Sequence, residues 1–387
     1  MILETELKIE TMTVSLLCTV GTSLFEGNLR HLSDQTLNRP DHWMQIKHAF
    51  DTESWTDLAK QLCKVDPASR ICGAEINTIE ESIRKNNFVI QNLVFLVSDT
   101  PSGVSTGMLL KRYFELRTDL ESLRSVEYCV VPDLQDTDPK RFRTQGLRNL
   151  VQTMGEYINR FGQDRIRIDA TGGYKAQIAI ALLIGQALDI PVYYKHERFS
   201  EIISFPPLPV SLDYSLLEKY SDVLVDLEKG LVLSDSDFEI PDEKLRIFLS
   251  EEEVDGVRLY ELNAVGMLYL TAFRIRNPKA VLLRNLTEEE REKPSFRDDH
   301  YPIGFKSFVN RVWSECTWIK TCTSMDYGKQ KSMSGIRFKV VSQQEKFTLI
   351  GTYEDKDNFK APFRIVLSDE SEASRIWAVD YLNRKYR

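Results

Sequence analysis

Three short turns carry the residues of this 387-residue chain whose types and spacing suit one chemistry, the holding of an anion. They are Gly21-Thr22-Ser23, Ser98-Asp99-Thr100 and Thr171-Gly172-Gly173-Tyr174-Lys175. Glycines let backbone N–H groups approach a phosphate closely, and hydroxyls add donors. A helix starting at such a turn points its unsatisfied N–H groups and positive dipole end at the ligand. Lys175 adds a full charge. No GxGxxG follows the first apolar run and no GxxxxGK[ST] occurs anywhere, so the phosphate cradles of nicotinamide dehydrogenases and P-loop NTPases are both missing.

For these turns to meet, they must sit at the same ends of neighbouring strands. Short apolar or β-branched runs precede or follow them: 12–20, 92–97, 126–131, 166–170 and 191–195. Segments with helical spacing lie between, at 109–120, 146–158 and 176–188. That alternation predicts a parallel sheet covered on both faces, whose ligands bind beyond the carboxyl ends of the strands.

The blocks LCTVGTSL, LVSDTPSG, FRTQGLRNLVQ and IDATGGYKAQ resemble the sequence blocks of the CARF family, over residues 12–205. The resemblance implies a Rossmann-like domain that dimerises to form one cleft and binds the cyclic oligoadenylate made by a type III CRISPR complex. It implies that Gly21, Thr22, Ser23, Ser98, Thr100, Thr171, Gly172, Gly173 and Lys175 contact the ligand. Some CARF domains also cleave the ring through ribose 2′-hydroxyl attack, which needs alignment and charge stabilisation more than a base. Lys175 with Thr22 or Ser23 suits that role and suits plain binding equally. His31, His42, His48 and His196 show no pairing pattern and read as surface or packing histidines.

With 42% hydrophobic and 28% charged residues, the composition is that of a globular protein. The N-terminal stretch is acidic, with no basic leader region, and no run reaches the roughly 18 apolar residues of a membrane span. A cytoplasmic protein is expected. Six scattered cysteines without a CxxC pair suggest buried thiols rather than a metal site. The net charge of −8 conceals opposed segments: residues 291–387 hold 18 basic and 13 acidic side chains, while 201–260 hold 5 and 15. Opposed charges of this kind suggest an acidic middle that shields the basic end until a ligand arrives, which predicts a salt-sensitive basal activity.

After the FPPLP break at 205–209, residues 210–290 read mostly as helices, with a winged helix as the alternative. Residues 286–299 suit a linker. Beyond it lie a helical segment, 305–321, and strand-like runs at 335–341, 347–353, 363–367 and 375–381. The Arg–His spacing of HEPN ribonucleases is absent, His300 being the sole histidine beyond residue 200. A metal-dependent PD-(D/E)xK nuclease would have Glu354-Asp355-Lys356 with Asp326, although the bracketing Asp357 and Asn358 read as a β-turn.

The closing stretch APFRIVLSDESEASRIWAVDYLNRKYR resembles the final hairpin of RelE-like toxins. That resemblance places Arg364 on the mid-strand catalytic arginine and Arg384 and Tyr386 near the terminal pair. Arg337 and Lys339 alternate to one strand face and are candidates for the family's lysines. It implies metal-independent cleavage of ribosome-bound mRNA by 2′-hydroxyl attack, the cations stabilising the phosphorane.

The fold class expected is α/β: a Rossmann-like CARF domain (1–207), a small helical or winged-helix connector (208–290) and a C-terminal α+β RelE-like domain (291–387). The function expected is a homodimeric ribonuclease activated by cyclic tetra-adenylate, with no cofactor and no metal, acting on RNA. A ligand-controlled nucleic-acid-binding regulator is the alternative.

Overall fold

The computed structural model describes residues 12–85, 88–196, 201–237, 243–278, 282–326, 334–343 and 346–387. The acidic N-terminal stretch up to residue 11 lies outside them. The chain divides into two compact units, Met1–Ser211 and Leu212–Arg387.

In the first unit, β1 (Met12–Thr19) leads through α1 (Trp43–Asp51), α2 (Trp55–Leu62) and α3 (Gly73–Lys85) to β2 (Phe88–Ser98). Then follow α4 (Pro101–Glu115), β3 (Ser125–Val131), the single turn α5 (Pro139–Arg141), α6 (Leu147–Phe161) and β4 (Ile166–Asp169). The unit closes with α7 (Lys175–Ala187), β5 (Val192–Tyr194) and β6 (Ile203–Phe205). The sheet order is β3-β2-β1-β4-β5-β6, parallel except for β6. Each expected strand and helix of this half is present. β1 is buried from Val14 through Val20 because helices cover both sheet faces, which is why it reads as an unbroken apolar run. Strand order reverses between β1 and β4, which pair from Ser15↔Ile166 to Cys18↔Asp169. A crevice opens at such a reversal, beyond the strand ends.

In the second unit, α8 (Ser215–Glu228) precedes a three-stranded antiparallel sheet of β7 (Leu233–Ser234), β8 (Leu249–Val254) and β9 (Val257–Leu262) in the order β7-β9-β8. Helix α9 (Ala264–Arg276) follows. The helices expected of the connector are present, and a small antiparallel sheet that was not expected is added to them. The acidic strand β8 ends in a tight turn with Asp255 and Gly256 at positive φ, a hairpin signal. Next come α10 (Phe305–Glu315), β10 (Ile319–Ser324), β11 (Arg337–Gln343), β12 (Lys346–Glu354), β13 (Lys360–Leu367) and α11 (Glu372–Tyr386). The four strands form an antiparallel sheet in the order β10-β13-β12-β11.

Two further expectations fail here. The helix expected over 305–321 ends at Glu315 and gives way to β10. The strand expected over 375–381 is part of α11. Its IWAV run is apolar because this face of the helix is buried: Ile376, Trp377, Ala378, Val379 and Leu382 are all core. The start signal was present in sequence, since Ser371 caps the helix by accepting from the Ser374 N–H at 3.3 Å.

The acidic middle and the basic end do not form separate domains. Glu218, Asp222 and Asp226 recur every four residues along α8, which kinks at Tyr220, and each meets an arginine from the basic segment. Glu218 pairs with Arg375 at 2.6 Å, Asp222 and Asp226 with Arg337 at 3.3 and 3.4 Å, and Asp226 also with Arg387. Arg274 of α9 bridges Glu228 at 2.6 Å and Asp380 of α11 at 2.7 Å. The two segments thus meet in buried ion pairs, which salt screens weakly, rather than in the salt-sensitive shield expected. Asp380 has a 1% exposed side chain and keeps Arg384 as a partner at 3.0 Å when Arg274 is removed, so Arg274→Met, which takes two charged hydrogen-bonding contacts from Glu228 and Asp380, should lower stability by about 2–3 kcal/mol. A urea midpoint equal to wild type would show that the bridge does not hold the unit together.

Candidate functional site

The crevice at the β1–β4 reversal is a cavity of about 450 Å³. Eight of the nine residues singled out for ligand contact line it: Gly21, Thr22, Ser23, Ser98, Thr171, Gly172, Gly173 and Lys175. Thr100 does not. Its hydroxyl caps α4 by accepting from the Gly103 N–H at 3.0 Å and shares a hydrogen bond with Ser98 at 2.9 Å, so it fixes the turn from behind.

Close approach explains the glycines. A Cβ on Gly172 would lie 2.8 Å from Gly21 N and 2.2 Å from Glu75 Oε1, and Gly173 has φ +102°. The two turns touch, and the Thr19 hydroxyl donates to the Gly172 carbonyl at 2.6 Å to hold them together. Helix α7 starts at Lys175, and its first turn is braced by the Gln177 side chain accepting from the Tyr174 N–H at 2.6 Å. The start of that helix therefore lines the cavity. Lys175 is exposed and has no ion pair or hydrogen bond among the described residues.

The cavity also includes Tyr174, Tyr194, Lys195 and His196. His196, read from sequence as a surface or packing residue, is part of its wall, because the end of β5 opens on the same edge as β1 and β4. That position was legible from the PVYYK run by the strand-end rule. Lys195 is paired with the buried Glu81.

Two buried carboxylates beneath the cavity had no sequence signal as a pair. Glu75 accepts from the Gly21 N–H at 2.9 Å. Asp169 accepts from the Thr171 N–H at 3.0 Å and from its hydroxyl at 2.6 Å. Burial pushes the Asp169 carboxyl up to about 7, against the Thr171 hydrogen bonds and with Glu75 adding to the rise.

Another cavity in the first unit, about 510 Å³, lies between β3 and α6 and is lined by Cys129, Asn149 and Arg160 among others. It is away from the strand ends, and Arg160 is bound through both nitrogens to Glu127 at 2.8 and 2.9 Å. The smaller cavity at the switch point is the one with the chemistry.

The cationic candidates of the second unit separate. Arg337 is 5% exposed and committed to Asp222 and Asp226. Arg384 pairs with Asp380 at 3.0 Å, and the Tyr386 hydroxyl donates to Glu315 at 2.8 Å. Arg384 and Tyr386 stand on α11 rather than on a hairpin strand, so the sheet does not present them. Arg364 and Lys339 do share a row, each register-paired with Ile350, on the face opposite buried Phe338 and Phe363. The Arg364 guanidinium has no partner among the described residues, and its Nε is buried. For the metal alternative, Glu354-Asp355-Lys356 enters the β12–β13 turn, where Asp355 accepts from the Asp357 and Phe359 N–H groups at 3.0 Å each. Asp326 is paired with Arg297. Among the described residues no group of three or more His, Cys, Asp or Glu could hold a metal.

The fold and cavity define an α/β domain with an anion-suited site at its topological switch point. Residues 70–208, all within the first unit, match the family model described as CRISPR-associated protein (Cas_APE2256). No curated protein matches the chain. Among solved structures, protein VC1899 from Vibrio cholerae is similar at 9% identity over 72% of this chain and 70% of that chain, with a TM-score of 0.20, a likeness that carries no argument. No helix among the described residues is long and apolar enough to cross a membrane.

The carboxyl at Asp169 yields a stability prediction. A proton held more tightly in the folded state contributes stability fully below the unfolded value of 3.8, and that contribution is lost as pH rises through about 7. Asp169→Asn cannot ionise and escapes the loss. Urea denaturation at pH about 5 and about 8 should show the variant gaining on wild type at the higher pH; an equal difference at both would contradict the assignment.

Proposed function

We propose that the first unit is a cyclic oligoadenylate sensor of type III CRISPR defence, with cyclic tetra-adenylate as its activating ligand. The observation that carries this reading is the convergence of four strand ends on one cavity, with the unpaired Lys175 at the start of α7. A ring with four phosphates offers a two-fold ligand to two copies of that cavity, so the active form is a homodimer in which each chain supplies one Lys175 and one set of turns. If the site also opens the ring, the 2′-hydroxyl oxygen bonds to phosphorus as the P–O5′ bond breaks, the 5′-oxygen leaves as a hydroxyl with the proton the 2′-oxygen gives up, a 2′,3′-cyclic phosphate remains, and Lys175 stabilises the charge that develops on phosphate.

The second unit, in this reading, is the effector, a metal-independent endoribonuclease acting on RNA, with ribosome-bound message as its substrate. Arg364 is its central cation and Lys339 its neighbour across Ile350. Arg337, Arg384 and Tyr386 serve the packing of the unit instead. A second reading, a ligand-controlled RNA-binding regulator, draws on that same commitment of three candidates, because two cations suffice to bind a phosphodiester.

Calorimetry with cyclic tetra-adenylate should show binding that Lys175→Ala weakens about ten- to a hundredfold, the worth of a hydrogen bond to a charged group. Message integrity in a reconstituted translation reaction separates the two effector readings. Ligand-dependent cuts lost in Arg364→Ala support the nuclease; intact message with ligand bound favours the regulator.

A further inference from the structure

The cavity that suits an anion is suspended from two buried acids. Glu75, on α3, is 1% exposed, and Asp169, at the end of β4, is 2% exposed. Glu75 Oε1 takes the Gly21 N–H and lies where a Cβ on Gly172 would fall, so it touches both glycine turns. Asp169 holds the Thr171 N–H and hydroxyl, and the Thr171 oxygen in turn accepts the Lys195 N–H at 3.0 Å. Each turn is therefore fixed by a carboxylate, and the N–H groups of Gly21 and Thr171 are spent on these acids rather than offered to a ligand.

That arrangement has an electrostatic consequence. Negative charge already lies under the floor when a phosphate arrives above it, in surroundings where charges interact several-fold more strongly than in water. A buried carboxyl facing both a second acid and an incoming anion relieves the repulsion by taking a proton. Asp169 is suited to do so, since its proton affinity is raised to about 7 before any ligand is bound.

We propose that Glu75 and Asp169 position the turns of the anion site and that the anion enters together with one proton, taken from solvent by this pair. The inference rests on the reading of the cavity as an anion site. The groups facing Asp169 are Glu75 from α3, Cys18 from β1 and Tyr193 from β5, with Lys195 joined through Thr171. Burial pushes the Cys18 thiol far up, so it stays neutral. Tyr174, Lys175, Tyr194 and His196 line the cavity above. His196 brings an imidazole to this lining, so the His196→Gln chain is a parallel background.

The test is calorimetric titration of the full chain with cyclic tetra-adenylate and with tripolyphosphate, between about pH 6 and 8.5, in buffers of different ionisation enthalpy. Wild type should take up as much as about one proton, with affinity falling by up to tenfold per pH unit above about 7. The uptake should vanish on Asp169→Asn, in the wild-type and His196→Gln backgrounds alike. Asp169→Asn should also bind more tightly than wild type at about pH 8, whereas a merely structural defect would bind more weakly at every pH. Glu75→Gln should move the pH dependence of binding to lower pH. Binding without proton uptake, or equal uptake in Asp169→Asn, overturns the inference alone. Failure of both anions to bind overturns the anion reading with it, which tells the two failures apart.

Discussion

Pairing of β1 with β4 in the middle of the six-stranded sheet sets the position of every other part of the site. The two strands run parallel from Ser15 and Ile166 to Cys18 and Asp169, so their following turns emerge side by side. Only then do Gly21 and Gly172 come close enough for the absence of a Cβ to matter. The same constraint carries β5 alongside and delivers Tyr194, Lys195 and His196 to the wall. Glu75 and Asp169 then convert an alignment of strands into fixed turns, at the expense of placing negative charge below a place meant for negative ligands.

In the second unit an analogous constraint is the row of acids along α8. By engaging Arg375, Arg337 and Arg387 it makes one body of two segments with opposed net charge, and it decides which cations remain for chemistry. Arg337 is removed from the sheet face by this pairing, while Arg364 two strands away is left without a partner among the described residues. A basic composition alone does not distinguish a structural arginine from a working one; the partner does.

The first unit was legible because parallel strands covered on both faces are short apolar runs and because their ends are where glycine and hydroxyl residues gather. Thr100 shows the limit: a hydroxyl at a strand end is also what a helix cap requires, and it took the second role. Glu75 and Asp169 could not be paired from sequence, since contacts between residues 94 positions apart depend on the register of β4 beside β1 and on where α3 crosses below. In the second unit the C-terminal helix is not legible from its pattern, because a helix buried on most sides loses its polar stripe and IWAV carries no 3.6-residue period. The resemblance to a closing hairpin implies a strand there, where the sequence carries a serine cap.

The most direct test of the central claim, that the switch-point cavity takes the nucleotide, is photo-crosslinking with an azido-adenine cyclic tetra-adenylate, followed by peptide mapping. The account predicts adducts on the peptides that carry Gly21–Ser23, Thr171–Lys175 and Tyr194–His196, displaced by unlabelled ring. Adducts confined to the larger groove between β3 and α6, or none above background, would contradict it.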